Sequence, residues 1–151
     1  MSAKTEKAVE KFLSGYNCAQ SILYAYGPDL GLEADTALKA ATGLGGGRGG
    51  RGEVCGAVTG GILALGLKYG RGEQAEKSVA QQAHQKTGEL MAAFERVHGS
   101  CMCCTLLGGC DLRTPAGMQR FREEDLHHKV CVGCVRTVGE ILAGMLDAPA
   151  A

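Results

Sequence analysis

The stretch Cys55-Gly-Ala-Val-Thr-Gly-Gly-Ile-Leu-Ala-Leu-Gly-Leu-Lys-Tyr69 decides how the rest of the chain is read. With Val54 it forms the longest apolar run in the sequence, yet it is shorter than the roughly 20 apolar residues a bilayer span needs. It also carries glycines at 56, 60, 61 and 66. It reads as a helix buried in a protein core. Gly56, Gly60 and Ala64 recur at intervals of four, so one side of that helix is smooth enough for another backbone to approach closely. A homodimer through this stripe is one expectation.

Outward from this core helix the pattern stays helical. Ala3–Leu13 has apolar residues at 8, 9, 12 and 13, with Lys and Glu on the opposite side. Gly15-Tyr16-Asn17 breaks it, and Asn17 is placed to cap a second helix, Cys18–Tyr26, that ends at Gly27-Pro28-Asp29. A third helix is expected over 33–42. On the C-terminal side Gly70-Arg71-Gly72 closes the core helix, and 73–98 reads as the longest helix, its apolar side formed by Val79, Ala83, Leu90, Ala93, Phe94 and Val97. Pro115 suits the first turn of a helix through Met118, Phe121, Arg122 and Asp125, and 131–146 is the last. No segment alternates with period two. The expectation is an all-α fold: a single compact bundle of about six helices over 1–147 with a glycine-rich loop, and a tail at 148–151.

Composition narrows the function. Sixteen Lys plus Arg balance sixteen Asp plus Glu, so neither nucleic acid nor an anionic membrane is an expected partner. Charges interrupt the N-terminal MSAKTEKAVEKFLSGYN, which leaves no apolar signal segment. A cytoplasmic location is expected, and there eight cysteines point to metal binding or redox work rather than structural disulfides.

The glycine loop, Gly43 to Glu53, satisfies the dinucleotide spacing twice, at Gly45-x-Gly47-x-x-Gly50 and at Gly47-x-Gly49-x-x-Gly52. That fingerprint works only after a strand, and none precedes it, so NAD is not expected. A phosphate-binding Walker loop fails too, since Arg51 and Gly52 stand where Lys and Ser or Thr are needed. Two readings remain open. In one, the loop presents free backbone N–H groups, with Arg48 and Arg51, to an anion or thiolate near Cys55. In the other it is a close-packed connection between helices.

Half of the cysteines fall within HGSCMCCTLLGGC, 98–110. Local spacing pairs Cys101 with Cys104 and Cys131 with Cys134, a CxxC…CxxC pattern typical of a tetrahedral zinc site. That leaves Cys18, Cys55, Cys103 and Cys110 idle. Neither CxxC is followed by His, which argues against covalently attached c-type haem. His84, His98 and the pair His127-His128 read as packed or solvated residues rather than ligands.

A different quartet comes from resemblance. Gly15-Tyr16-Asn17-Cys18-Ala19-Gln20, the triple glycine 45–47, Cys55-Gly56-Ala57-Val58-Thr59-Gly60, Leu65-Gly66-Leu67-Lys68-Tyr69-Gly70 and Leu106-Leu107-Gly108 occur in one order. Cys131 with Val135, then Glu140-Ile141-Leu142, completes it. In combination these resemble the redox-active family named C_GCAxxG_C_C, although the label writes Gly before Cys and this chain reads Cys55-Gly56-Ala57. The resemblance implies four family cysteines at Cys18, Cys55, Cys103 and Cys131, the third chosen because it precedes Leu106-Leu107-Gly108 by three residues. It further implies an iron–sulfur cluster or other metal held by these four, and electron exchange with a redox partner protein. Cys101, Cys104, Cys110 and Cys134 are extra and leave room for a second set. Helix N-termini at Cys18 and Cys55 are expected to lower their thiol pKa values. The rival readings are a thiol–disulfide oxidoreductase or sensor using paired cysteines, and a zinc-stabilised interaction module.

Overall fold

A computed structural model of the chain describes residues 2–147; the tail expected at 148–151 lies outside the described residues. The architecture is all-α, with eight α-helices and no β-strand among the described residues. Helix α1 is Ala3–Leu13, capped by the Ser2 hydroxyl, which accepts from the Thr5 N–H at 3.0 Å. Helix α2, Cys18–Tyr26, opens on Asn17 as expected. The Asn17 side chain accepts from the Gln20 N–H at 2.8 Å, and the Gln20 side chain accepts from the Asn17 N–H at 3.0 Å, a reciprocal capping box.

Helix α3, Ala34–Ala40, is shorter than the sequence pattern implies. Glu33 stays outside it because its carboxylate accepts from the Asp35 and Thr36 N–H groups, and Thr42 opens a 3₁₀ turn, Thr42–Leu44. The apolar run forms α4, Gly56–Tyr69. The long helix α5 is Lys77–His98; residues 73–76 precede it as a turn whose Ala75 carbonyl accepts from the Arg71 guanidinium at 3.0 Å. A four-residue helix, α6, spans Cys103–Leu106, and α7, Pro115–Glu123, starts under a Thr114 cap. A single π-helical segment, His127–Cys131, leads into α8, Val132–Leu146.

Helix α2 packs on α4 and α1, α1 on α8, and α4 on α5 and α8. Ile22, Leu65, Leu90, Phe94, Val138 and Leu142 are almost completely buried between them. Each such side chain contributes about 1.5–3 kcal/mol by leaving water. Val97, assigned above to the apolar side of the long helix, is 64% exposed. The inward side of α5 instead follows Leu90, Phe94 and His98, spaced by four.

The glycine stripe of α4 is used within the chain. A Cβ on Gly60 would lie 2.8 Å from the Ala19 carbonyl oxygen and 3.1 Å from the Ala19 Cα. Helix α2 therefore occupies the smooth face, and this stripe is not available to a second chain. No helix among the described residues is long and apolar enough to cross a membrane.

Candidate functional site

Three devices bring distant cysteines together. The first is the α2–α4 contact, which sets Cys18, the first residue of α2, beside the start of α4; a Cβ on Gly56 would collide with the Cys18 sulfur. The second is a short antiparallel pairing that sequence periodicity did not reveal. Val54 bridges Met102, Cys55 donates its N–H to the Cys101 carbonyl at 2.7 Å, and Cys103 donates to the Glu53 carbonyl at 2.7 Å. This fixes Cys103 next to the entry of α4. The third is the π-helical segment before α8, which carries Cys131 on its last residue; π segments of this kind recur at functional positions.

The result is a half-enclosed cavity of about 280 Å³ lined by Cys18, Cys55, Cys103, Cys131 and Cys134. Its other walls include Phe12, Tyr16, Leu106, Leu112, Phe121, His127 and Val130, and no Asp, Glu, Lys or Arg lines it. All eight cysteines are free thiols. Among the described residues, no three His, Cys, Asp or Glu side chains are grouped closely enough to hold a single metal ion. The five thiols share one cavity without forming such a group.

The remaining cysteines stand elsewhere. Cys101 is buried in the main core, its thiol donating toward the Met91 carbonyl at 3.7 Å. Cys110 donates to the Gly117 carbonyl at 3.0 Å and packs with Leu107 and Leu126 in a smaller core. Cys104 lies under the glycine loop, where a Cβ on Gly52 would come within 2.9 Å of the Cys104 Cβ. The pairing of Cys101–Cys104 with Cys131–Cys134 is thus not brought to one place, and Cys134 parts company with the other three extra cysteines.

The glycine loop is close-packed along part of its length. Gly45, Gly47 and Gly52 each abut neighbours so tightly that a Cβ would fall within 3.0 Å of Asn17, the Glu53 nitrogen and Cys104 respectively. Its N–H groups largely serve its own carbonyls: Gly49 to Gly43, Gly50 to Gly45, Gly52 to Gly46 and Glu53 to Gly47. One of them does reach the site, since the Gly46 N–H is directed at the Cys18 sulfur together with that of Ala19. The expectation that Arg48 and Arg51 offset charge at the site does not hold. Both are exposed and neither lines the cavity, and Arg51 pairs with Glu53 at 3.5 Å.

The lowered thiol pKa values expected from helix N-termini are also overturned. The Gly46 and Ala19 N–H groups favour the Cys18 thiolate, but the neighbouring Cys55 thiol and then burial outweigh them and hold Cys18 well above the ordinary range. Cys55 is raised too, first by Cys134, with burial adding, although Cys18 and the Ala57 N–H act in the opposite sense. Burial, then Cys18, Cys104 and Cys110, pushes Cys103 up to about 12. Burial, then Cys18 and Cys103, pushes Cys131 up to about 12. In a desolvated pocket, crowded sulfurs resist ionising together unless a cation compensates.

The histidine pair is split by the fold. His128 is exposed and bonded to Asp125 at 2.8 Å, as a solvated residue would be. His127 instead lines the cavity, its ring stacked on Phe12 at 4.2 Å, with burial lowering its pKa. A signal for it existed: His127 precedes Cys131 by four and Cys134 follows by three, which is one helical face.

No curated protein and no solved structure matches the chain. A family model described as "Putative redox-active protein (C_GCAxxG_C_C)" matches residues 16–145. That span contains all eight cysteines and every cavity-lining residue except Phe12 and Gly15. A match this long, over the very segments that build the thiol-lined cavity, means that the chain belongs to the C_GCAxxG_C_C family of redox-active proteins.

Proposed function

We propose that Cys18, Cys55, Cys103 and Cys131 hold an iron–sulfur cluster and that the protein transfers electrons to a partner protein in the cytoplasm. One observation carries the reading: these four thiols come from four separate segments and line one apolar cavity. The donor set fits the group, because iron–sulfur clusters take four cysteine thiolates and their potentials respond to burial and to N–H groups on sulfur. The N–H groups of Gly46 and Ala19 act on Cys18 in the required sense. No three of these thiols group closely enough for a single zinc ion, whose four sulfurs must all lie about 2.3 Å from one point, whereas a cavity of about 280 Å³ leaves room for a polynuclear group. When bound, such a cluster supplies one-electron transfer. The chain's own part is to supply thiolates, exclude water with Phe12, Leu106, Leu112 and Phe121, and set the hydrogen bonds on sulfur.

The test is anaerobic purification with visible absorption and analysis for iron, acid-labile sulfide and zinc. Iron and sulfide with broad visible bands are expected, abolished in Cys103→Ser and retained in Cys101→Ser and Cys110→Ser. A colourless, metal-free chain refutes the reading, and zinc without sulfide turns it into a structural zinc module. Retention in Cys103→Ser with loss in Cys101→Ser rejects the ligand set.

A further inference from the structure

Helix α1 carries Lys4, Lys7 and Lys11 at intervals of three and four, on one face, and each stands over a tyrosine in or just before α2. Lys4 lies 5.5 Å from the centre of the Tyr26 ring, and Lys7 lies 4.9 Å from that of Tyr24. Lys11 is shared by two rings, 4.0 Å from Tyr24 and 4.9 Å from Tyr16. Lys4 is also paired with Asp29 at 2.7 Å, whereas Lys7 and Lys11 have no carboxylate at ion-pairing distance among the described residues. A ring face attracts an ammonium without cancelling its charge. Both cations therefore stay available, on long side chains that are already held in place. With Glu10, Ser14 and Tyr24 they line a shallow groove.

This face runs up to the thiol cavity. Gly15 and Tyr16 line that cavity, so the turn that ends α1 forms part of its wall. Tyr16 is nonetheless 38% exposed, and Leu13 in the same turn is 49% exposed. We propose that the α1 face bearing Lys7 and Lys11, with Tyr16 at its cavity end, is the docking surface for the redox partner, and that this partner is a protein presenting surface carboxylates. Charge complementarity selects that chemistry. Glu10 is the one acid in the groove and opposes such a partner, but the two ammonium groups outnumber it. The chain as a whole is neutral, so attraction arises from this local placement and not from net charge. A partner seated on Tyr16 is separated from the cavity by that one side chain. Small, electrostatically steered interfaces of this kind suit transient electron exchange.

Docking does not depend on what the cavity holds; only its use in electron exchange rests on the cluster reading above. The first experiment titrates the full ¹⁵N-labelled chain, metal-free, with a hexaglutamate peptide blocked at both ends. NMR shifts are expected over 7–16 and at Tyr24, and should vanish at about 1 M salt, where screening acts within about 3 Å. Lys7→Gln with Lys11→Gln should weaken binding about fivefold, and Arg at both positions should retain it. Glu10→Gln should tighten it, and Lys77→Gln on α5 should change nothing. Shifts centred elsewhere, shifts unaffected by the double Gln variant, or binding to phosphatidylglycerol vesicles in place of the peptide overturn the inference. The second experiment uses the chain loaded with iron and sulfide and then reduced. Ferricyanide, a trianion, or hexaamminecobalt(III), a trication, takes one electron from it and is itself reduced by one. The double Gln variant should slow ferricyanide about fivefold and leave the cobalt complex no slower. Equal effects on both oxidants, or none on either, overturn the inference as well. If the peptide docks as mapped while the chain never takes up iron, the docking face stands and the cluster reading alone falls.

Discussion

Gly60 and Gly66 lie on the same helix and offer opposite outcomes for the same substitution. At Gly60 a Cβ meets Ala19 backbone atoms at 2.8 and 3.1 Å and the Ile22 Cβ at 3.1 Å. Backbone cannot rotate away as a side chain can, so Gly60→Ala forces α2 off α4. Overpacking of this kind costs about 1–3 kcal/mol, and the better helix propensity of Ala returns about 0.8–1.0 kcal/mol. The net loss is about 1 kcal/mol, reaching about 2 kcal/mol if the helices cannot separate. Gly66 is exposed, and nothing lies within 4 Å of its would-be Cβ. Gly66→Ala therefore keeps only the propensity term and should stabilise by roughly 0.8–1.0 kcal/mol. Urea unfolding followed by circular dichroism should place the two variants about 2 kcal/mol apart, on opposite sides of the native chain. At this chain length the gap is about 4–8 °C in Tm. If Gly60→Ala is as stable as Gly66→Ala, the α2–α4 contact is looser than described, and the positioning of Cys18 against Cys55 loses its structural basis.

Two further outcomes follow from the same geometry. Asn17→Ala removes the capping box of α2 and the side-chain bond to the Thr42 carbonyl at 2.9 Å, and should cost about 1–2 kcal/mol in urea unfolding. Asn17→Ser, which still caps, should recover most of it, and equal loss in both would deny the cap its role. His98 bonds Thr137 at 2.8 Å and lies tilted against the Phe94 ring, centroids 4.6 Å apart, and burial lowers its pKa from the ordinary 6.5. Since the folded state binds that proton less readily than the unfolded chain, its contribution is complete above about pH 6.5 and declines as pH falls from there toward the folded pKa. An NMR titration should give His98 a midpoint below that of an unfolded peptide; one at or above it refutes the burial argument.

Much of the fold was legible because its signals are local. Asn17 followed by Gln20 marked a helix start, and Ala8, Val9 and Phe12 marked a buried face by spacing alone. Two departures came from local side-chain hydrogen bonds at helix starts that compete with the periodic pattern, and a third from tertiary packing. Glu33 left its helix to cap it, and Arg71 held the 73–76 turn out of α5. Val97 matches the helical period of its neighbours yet faces solvent, because the rotation of α5 is set by what Leu90 and Phe94 touch.

The candidate site divides along the same line. The sequence by itself determined an all-helical chain and the family, and it pointed to Cys18, Cys55, Cys103 and Cys131, since each of these depends on residue type at a local spacing. Only the tertiary structure decided that Cys134 lines the same cavity as those four and that Cys101, Cys104 and Cys110 do not. Whether sulfurs meet depends on which helix faces which, and periodicity on a single helix does not contain that information. The same holds for the thiol pKa values. A helix N-terminus is visible in the sequence and favours the thiolate, whereas burial and neighbouring thiols, which win at Cys18 and Cys55, exist only once the chain has closed around them.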